Sequence, residues 1–493
     1  MSKFHSTITR REFMKGVGLA GAGLGVAGLG AAAAGDTVFH DMDEALASPS
    51  AIYKKPWWVK LVDQPTVPID WSVLQPGRTL LLPPKGHNPG PDKAVAYQTF
   101  IDYFQRLFPD WKPVGHSITG NDMYWGDIRM DAMATSHFTS GGIPTELVTA
   151  LTKAGTYTSI VAKQQGWREQ PSWKDRGYPS RWEGTPEENL RTMTVIGRMA
   201  GADGIGAIEI DDNFKRLMWG RSAPAPGGTV NEWGDVDDFV FTPNDLKPTK
   251  ITIPNKCKYF LTWTQKHPYF QGGQYSANAG RAGLTGEHAY TRVTLRDIQE
   301  SMNSLGYLSL QWSASLIPSG AVGVLSGMGE QCRQGTPLQP TIGLASRVMW
   351  GFFTDMPLAP TKPIDFGAYN FCHTCGICAE NCMFQSIPKG DPTWDGNDGR
   401  EYPDRYNPGY KAWRNDTQKC NHCPVCQNVC PFTHNNGTSA GIHELVRTTI
   451  STTSAFNGFM ANMDRNFSFN KLKNPNEIWN ADIFPWGLDS SVS

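Results

Sequence analysis

The chain has 493 residues, which is enough for two or three domains with hydrophobic cores of their own. Apolar residues make up 39% of it and the formal net charge is −1, so the composition argues against a disordered chain and against a nucleic-acid partner. Most of the 17 Trp residues are expected to pack in the core, and some could line a cavity for an apolar ligand.

The first 34 residues have the composition of an export signal. Basic residues are concentrated in residues 1–15, where Arg10 and Arg11 are adjacent, and 16–34 is uncharged and rich in Gly and Ala. A basic region followed by a weakly hydrophobic region and small residues is typical of a twin-arginine signal peptide. As a membrane anchor it is poor, because a span needs about 20 strongly apolar residues. We therefore predict that the protein is exported folded and that the mature form is soluble or peripheral.

Residues 35–185 contain many Pro, Gly and Trp residues and are predicted to form an irregular segment that wraps the core. Within this segment, residues 94–108 have apolar side chains at helical spacing, and Pro109 follows as a stop. The predicted apolar face consists of Val95, Phe100, Phe104 and Leu107.

Residues 186–365 are predicted to form an α/β core, because helical and strand patterns alternate along them. Thr185 is a suitable N-cap for a helix from Pro186 to about Ala200. The predicted apolar face of that helix consists of Leu190, Met193, Ile196 and Met199. The other predicted elements are strands at 205–210, 259–264 and 307–312 and a helix at 291–305 that Gly306 ends. The glycines of 201–206 precede a strand, so they do not match a dinucleotide-binding fingerprint.

Eight of the 10 Cys residues lie in two compact runs, and only Cys257 and Cys332 stand apart. The first run is Cys372, Cys375, Cys378 and Cys382, and the second is Cys420, Cys423, Cys426 and Cys430. Gaps of two residues let neighbouring thiolates converge on one cubane, whereas the fourth Cys of such a run binds the other cluster in two-cluster ferredoxins. Structural zinc is the competing interpretation, but zinc sites usually show two separated Cys pairs.

The spacing therefore predicts two [4Fe–4S] clusters. We assign Cys372, Cys375, Cys378 and Cys430 to one cluster, and Cys420, Cys423, Cys426 and Cys382 to the other. Clusters are inserted in the cytoplasm, so a protein that carries them must cross the membrane folded. The cysteine runs and the twin-arginine leader support each other for this reason.

The two runs define a predicted ferredoxin-like domain at 366–436, with a long insert at 383–419. Loops of that length are usually functional. The aromatic residues of the insert are Trp394, Tyr402, Tyr406, Tyr410 and Trp413. Residues 437–493 are predicted to form one long, packed helix and a tail. Its apolar positions are Ile442, Leu445, Val446, Phe456, Phe459, Met460 and Met463.

Clusters alone move electrons, so an exported relay subunit is one interpretation of the chain. However, a predicted α/β core, which a relay would not need, precedes the first cluster. P-loop, GxSxG, HExxH and haem-attachment motifs are absent from the sequence. The chemistry is therefore expected to belong to a bound cofactor that has no short sequence signature.

The order of these parts resembles the catalytic subunit of corrinoid-dependent reductive dehalogenases. The resemblance runs through the leader, the Trp-rich segment, GADGIG at 201–206, MGE at 328–330, TDMPLAP at 354–360 and both cysteine runs, and it covers essentially the whole chain. The opening MSKFH and PTWD at 392–395 further resemble the branch that reduces chlorinated ethenes such as vinyl chloride and trichloroethene.

The resemblance implies a fold, α/β (α+β), in which a nitroreductase-like core buries a base-off cobamide and a bacterial two-[4Fe–4S] ferredoxin-like domain follows. It implies an oxidoreductase of organohalide respiration that replaces the halogen of a small substrate by hydrogen. One cluster would lie near the corrin and the other near the surface. Aromatic residues of 383–419 would roof the substrate pocket.

The resemblance also implies partners and a location. A small membrane anchor protein would hold the enzyme at the outer face of the cytoplasmic membrane. The other implied partners are a membrane electron-transfer chain, the small halogenated substrate and the twin-arginine export machinery.

The family's mechanism implies a proton donor above the cobalt and a cation that lowers the donor's pKa. Arg347 resembles the family's arginine by position. A purely structural role for this arginine is an equally good interpretation. The spacing of the family puts His288 at the donor position, whereas Tyr290 carries the phenol that suits the role. We choose Tyr290, with His288 as a competitor. The position of the family's substrate-side asparagine is occupied by Ala314, so the polar contact that the asparagine would make with the substrate is not expected here.

Two alternatives to the dehalogenase stay open at this point. One is a corrinoid and iron–sulfur reductase of a modified tRNA base, which the export signal and the absence of a basic surplus argue against. The other is an exported electron-transfer subunit, which would bind no corrinoid.

Overall fold

A computed structural model describes most of the chain beyond residue 54. The described residues are 55–74, 93–112, 173–221, 228–242, 249–266, 294–312, 317–344, 346–395, 408–416, 419–420, 423–433, 440–467 and 472–480. The chain divides into two compact units, Met1–Lys54 and Lys55–Ser493, and every described residue belongs to the second. The predicted signal peptide lies outside the described residues. Among the helices that are described, none is both long and apolar enough to cross a membrane.

A four-stranded antiparallel sheet forms the centre of the described structure. Its strands are β2 (Gly204–Glu209), β6 (Tyr259–Lys266), β7 (Leu310–Trp312) and β10 (Ser346–Thr354), in the spatial order β2-β6-β10-β7. Strand β6 is buried on both faces from Phe260 to Thr264. A strand that is buried on both faces has no alternation of apolar and polar residues and forms one short uninterrupted segment. Its position could therefore be predicted from the sequence. The helices and antiparallel strands together give the α+β form of the predicted fold class.

Helix α2 (Pro186–Met199) packs against β2 and begins at the predicted cap. The Glu188 backbone N–H donates to Thr185 Oγ1 at 3.2 Å, and the Thr185 N–H donates to the Glu188 carboxylate at 2.8 Å. This reciprocal capping box satisfies two N–H groups that the helix leaves free. Leu190 and Met193 are buried as predicted, but Met199 is 86% exposed, because the apolar face ends one turn earlier.

Two other predicted helices are confirmed. Helix α1 (Lys93–Leu107) buries Phe100 and Phe104 against Trp111, whereas Val95 and Leu107 are exposed, so its apolar face is narrower than predicted. Helix α4 covers 294–305 within the described residues and ends at Gly306, whose φ is +98°.

A second, three-stranded sheet was not predicted. It consists of β3 (Val230–Gly234), β4 (Val240–Thr242) and β5 (Lys250–Pro254), with β3 parallel and β4 antiparallel to β5. Ile251 and Ile253 of β5 join one core cluster with Phe260 and Phe353 of the central sheet. The remaining short elements are β1 (Lys60–Leu61), α3 (Asp212–Leu217), α5 (Ser319–Leu325), β8 (Glu330–Gln331), β9 (Pro337–Leu338) and β11 (Ile364–Asp365).

The C-terminal part contains α6 (Ala368–Cys375), α7 (Ile377–Glu380), α8 (Val425–Asn428), α9 (Ala440–Thr452), α10 (Asn457–Phe467) and 3₁₀ turns at Ser454–Phe456 and Pro475–Asn480. The prediction of one long C-terminal helix is therefore wrong. Thr453 has extended backbone angles and its hydroxyl accepts from the Ala455 N–H, which separates α9 from α10. Met460 and Met463 are buried as predicted, whereas Phe456 and Phe459 are exposed because the break turns them outwards.

Candidate functional site

The two cysteine runs are brought together by short helices. Helix α6 ends and α7 begins at Gly376, which has a φ of +67°. Glycine adopts this left-handed conformation at no steric cost, so the chain turns sharply between Cys375 and Cys378. Helix α8 is a single turn that carries Cys426, and it packs against α7. The runs are therefore neighbours in space although about 40 residues separate them in the sequence.

Thiols from both runs line one apolar cavity. Cys372, Cys375 and Cys378 of the first run meet Cys430 of the second run there. Cys332, which stands apart in the sequence, also lines this cavity. The fourth Cys of the second run thus joins three of the first, which is the grouping that crossed cluster ligation requires.

The other four thiols form a second neighbourhood. Burial raises the pKa of Cys426 well above its usual value, and the charges of Cys423, Cys382 and Cys420 raise it further. Cys382 of the first run is therefore close to three thiols of the second run. The structure thus brings both cysteine runs together, and the assignment of four cysteines to each cluster stays a prediction.

The cavity favours protonated thiols unless a cation is bound. Burial raises the pKa of Cys375 to about 12 and that of Cys430 well above its usual value, so that thiolates there need a positive partner. Bound iron would supply it. Within the described part of the chain, no three His, Cys, Asp or Glu side chains converge on a single ion position. Three thiols spaced by two residues and a fourth from the other run are the ligand set of a cubane, so this donor set fits a cluster.

Glu330 fixes the start of α6. Its carboxylate accepts from the backbone N–H groups of Phe366, Ala368 and Tyr369 at 2.9–3.1 Å and from the Thr66 hydroxyl at 2.8 Å. Burial raises the pKa of Glu330, and these hydrogen bonds oppose that rise. A carboxylate at a helix N-terminus also interacts favourably with the helix dipole. Glu330 therefore positions the helix that carries Cys372 and Cys375.

Arg333 holds the other side of the same helix. Its guanidinium donates to the carbonyl oxygens of Cys372, His373, Pro388 and Gly390. The side chain is buried and lines the cysteine cavity. Arg333 and Cys332 were missed as site residues by sequence reasoning, because only the fold places them beside the cysteine runs. The one signal available was their position two and three residues after the MGE segment at 328–330.

The comparisons with known proteins agree with this geometry. A family described as a 4Fe-4S dicluster domain matches residues 371–434. A chloroethene reductive dehalogenase from Dehalococcoides mccartyi strain VS is 31% identical over 99% of this chain and 99% of its own length. A trichloroethene reductive dehalogenase from another strain of that species is 31% identical over 97% of this chain and 98% of its own.

The chain belongs to the reductive dehalogenase family.

A solved structure supports the fold of this dehalogenase. The catabolic reductive dehalogenase NpRdhA, which is 18% identical, superposes with a TM-score of 0.50 over 87% of this chain. The chain spans 55% of the length of that protein. The predicted family and fold class are confirmed by these relatives together with the dicluster match.

The structure describes only part of the predicted catalytic centre. Tyr290, His288 and Ala314 lie outside the described residues. Arg347 lies on β10, where it pairs in register with Gln265 of β6. Next to this pair, two buried polar atoms of β6 have no hydrogen-bond partner among the described residues: Trp263 Nε1 and Thr264 Oγ1. They lie on opposite faces of the sheet, because successive side chains of a strand alternate in direction, and each would be stabilised by a polar partner on its own face.

The insert 383–419 differs from its predicted role where the structure describes it. Trp413 was expected to help to roof a substrate pocket, but it is buried beside α6, 4.7 Å from the His373 ring and 5.4 Å from the Tyr369 ring. Its Nε1–H donates to the Gly390 carbonyl at 2.9 Å. Trp394 is 45% exposed. Trp413 therefore stabilises the cysteine region, because its ring fills the space between α6 and the insert.

Proposed function

We propose that this dehalogenase replaces the halogen of a small organohalide, a chlorinated ethene, by hydrogen according to R–X + 2e⁻ + H⁺ → R–H + X⁻. The observation that carries this proposal is the 31% identity, over nearly the full length, to relatives named for chloroethene and trichloroethene. An electron-transfer subunit without corrinoid is not favoured, because the identity extends through the whole core and not only through the cluster domain.

The electrons would pass through two [4Fe–4S] clusters. The proposed ligands of the first are Cys372, Cys375, Cys378 and Cys430, and those of the second are Cys420, Cys423, Cys426 and Cys382. The shared cavity and the grouping of thiol charges support this division. Cys332 lines the cavity, but burial raises its pKa to about 11 against the opposing effect of three backbone N–H groups, and its Sγ donates to the Thr336 carbonyl at 3.0 Å. A protonated, non-ligating thiol is therefore favoured.

A corrinoid would be the catalytic cofactor, as the family resemblance implies. When bound, it supplies a low-valent cobalt centre that is reducing enough to cleave a carbon–halogen bond. The unpartnered Thr264 Oγ1 fits such a ligand, since a corrin carries peripheral amides that could hydrogen-bond to a buried hydroxyl on that face of the sheet. The main sheet would thus provide one wall of the corrinoid site.

Three residues are proposed to handle the proton. Tyr290 would donate it to the carbon that loses the halogen, and Arg347 would stabilise the phenolate that remains. His288 is the alternative donor. These roles rest on the family resemblance.

The protein would work outside the cytoplasm. The proposed route is twin-arginine export of the folded, cofactor-loaded chain, directed by Arg10 and Arg11 within residues 1–34. A small membrane anchor protein would then hold it at the outer face of the cytoplasmic membrane, where it would take electrons from the membrane electron-transfer chain during anaerobic respiration.

The first experiment is the metal content of the full chain after anaerobic reconstitution with iron, sulfide and cobamide. We expect about eight irons and about one cobalt per chain, followed by dechlorination of trichloroethene or vinyl chloride with a low-potential dye as the electron donor. Eight irons without cobalt would refute the corrinoid assignment and leave an electron carrier. Cobalt without dechlorination of any chlorinated ethene would refute the substrate class alone.

Paired variants distinguish the proton donors. Tyr290→Phe is expected to lower kcat by about 10²–10⁴-fold with both cofactors retained, which is the usual contribution of a positioned acid. His288→Gln is expected to keep most of the activity. The opposite result would assign the role to His288.

A further inference from the structure

Arg333 is a cation whose hydrogen bonds all go to neutral partners. Nε and Nη2 donate to the Cys372 carbonyl at 3.0 and 2.9 Å, and Nη2 also reaches the His373 carbonyl. Nη1 donates to the carbonyls of Pro388 and Gly390 at 2.8 and 2.9 Å. All five N–H groups of the guanidinium are therefore used, and none meets a carboxylate.

The charge of Arg333 lacks a counter-charge within the described residues. Its residue exposure is 3%, and none of the ion pairs between described side chains includes it. The guanidinium lies over the Trp413 ring at 4.6 Å, which adds a weak attraction only. A buried cation without an anion is costly, and proteins pair such groups with an opposite charge or a metal site.

The neighbouring cavity is where a negative charge that balances Arg333 could be bound. Arg333 lines that cavity together with Cys372, Cys375, Cys378 and Cys430, and the Arg333 backbone N–H donates to the Cys372 sulfur. A [4Fe–4S] cluster with four thiolate ligands is an anion, and each one-electron reduction makes it more negative. Net charge and nearby hydrogen bonds are the factors by which a protein sets a cluster's potential.

We propose that Arg333 is the buried counter-cation of the cluster in this cavity, a positioning residue that stabilises the reduced cluster and raises its reduction potential. This inference rests on the proposed cluster ligands and not on the substrate or the corrinoid. The step is a one-electron reduction in which no bond forms or breaks, and the electron comes from a low-potential one-electron donor. Arg333 is buried and lines the same cavity as the cysteines, and electrostatic effects are stronger where water is excluded.

The test is a potentiometric titration of the reconstituted full chain with dithionite, followed by electron paramagnetic resonance. Arg333→Gln should shift the midpoint potential of one cluster to more negative values and leave the other in place. Arg333→Lys keeps the charge and should retain most of the wild-type potential. Arg414→Gln is the matched control, because Arg414 is also buried and also donates to backbone carbonyls but does not line the cavity.

The outcomes separate charge from structure. Unchanged potentials in Arg333→Gln with both clusters loaded would overturn the proposal, and so would an equal shift in Arg414→Gln. If Arg333→Gln does not load iron, Arg333→Lys decides between charge and shape. Normal iron loading with a wild-type potential supports the counter-cation. Failure to load iron would overturn it, because the hydrogen bonds of the planar guanidinium would then matter instead of the charge. The titration needs neither cobalt nor a halogenated substrate, so a failed dechlorination assay leaves this result intact.

Discussion

Gly343 provides a sharp test of how the second cysteine run is held. Its φ is +64°, and a Cβ added to it would lie 2.3 Å from the Phe432 carbonyl oxygen and 2.6 Å from the Thr433 nitrogen. Phe432 follows Cys430 by two residues, and its ring packs on Phe366 and Phe371. The backbone at Phe432 is held further by Arg447, which donates to the Phe432 carbonyl. The turn before β10 and the end of the second run therefore touch backbone to backbone.

We expect Gly343→Ala to lower the free energy of unfolding by about 2–5 kcal/mol. The left-handed backbone of an L-residue contributes about 1–2 kcal/mol, and forcing a methyl group into a packed site contributes about 1–3 kcal/mol. Gly177→Ala is the matched control. Gly177 has a φ of +79° and nothing within 4 Å of an added Cβ, so this variant carries the backbone cost of about 1–2 kcal/mol without the clash.

The assay is anaerobic guanidinium denaturation of the loaded protein, followed by tryptophan fluorescence and by cluster absorbance. Gly343→Ala should unfold at lower denaturant than Gly177→Ala and lose iron from the cavity cluster first, because a displaced Phe432 moves Cys430. If the two variants shift the denaturation midpoint equally, the backbone at Phe432 moves to accommodate the added methyl group, and the inferred rigid contact is wrong.

Three further predictions follow from the same region. Glu330→Gln should lower the free energy of unfolding by about 2–3 kcal/mol, since its amide N–H₂ would face a buried donor; a denaturation midpoint equal to wild type would contradict the capping role. Burial raises the pKa of Asp464 to about 7 from the reference value of 3.8. Between these pH values the native state binds more protons than the unfolded chain. The free energy of unfolding of the wild type should therefore fall as the pH rises from 4 to 7. Asp464→Asn should remove this slope and be more stable by up to about 4 kcal/mol at pH 8, as pH-dependent denaturation would show; a parallel pH profile would count against it. Cys430→Ala should remove the cavity cluster and keep the other, giving about four irons per chain, whereas Cys332→Ala should keep about eight; iron loss from the second variant would make Cys332 a ligand.

Local signals were enough for some features because a few neighbouring residues decide them. The two cysteine runs predict clusters, because the type and the spacing of the ligands are both set within a short stretch of chain. The helix that begins at Thr185 and the helix that ends at Gly306 were predictable for a similar reason, because caps and left-handed glycines act on the nearest turn. The break at Thr453 was missed since apolar residues on both sides of it keep a helical spacing.

The sequence by itself determined the family, the two clusters and the main strands of the sheet, because these depend on residue type and local order. Only the tertiary structure decided what surrounds the clusters. It places Cys332 and Arg333 in the cysteine cavity, it makes Glu330 the anchor of α6, and it buries Trp413 beside that helix. Arg333 and Cys372 are 39 residues apart in the chain, as are Glu330 and Tyr369. No local pattern encodes contacts over such a distance.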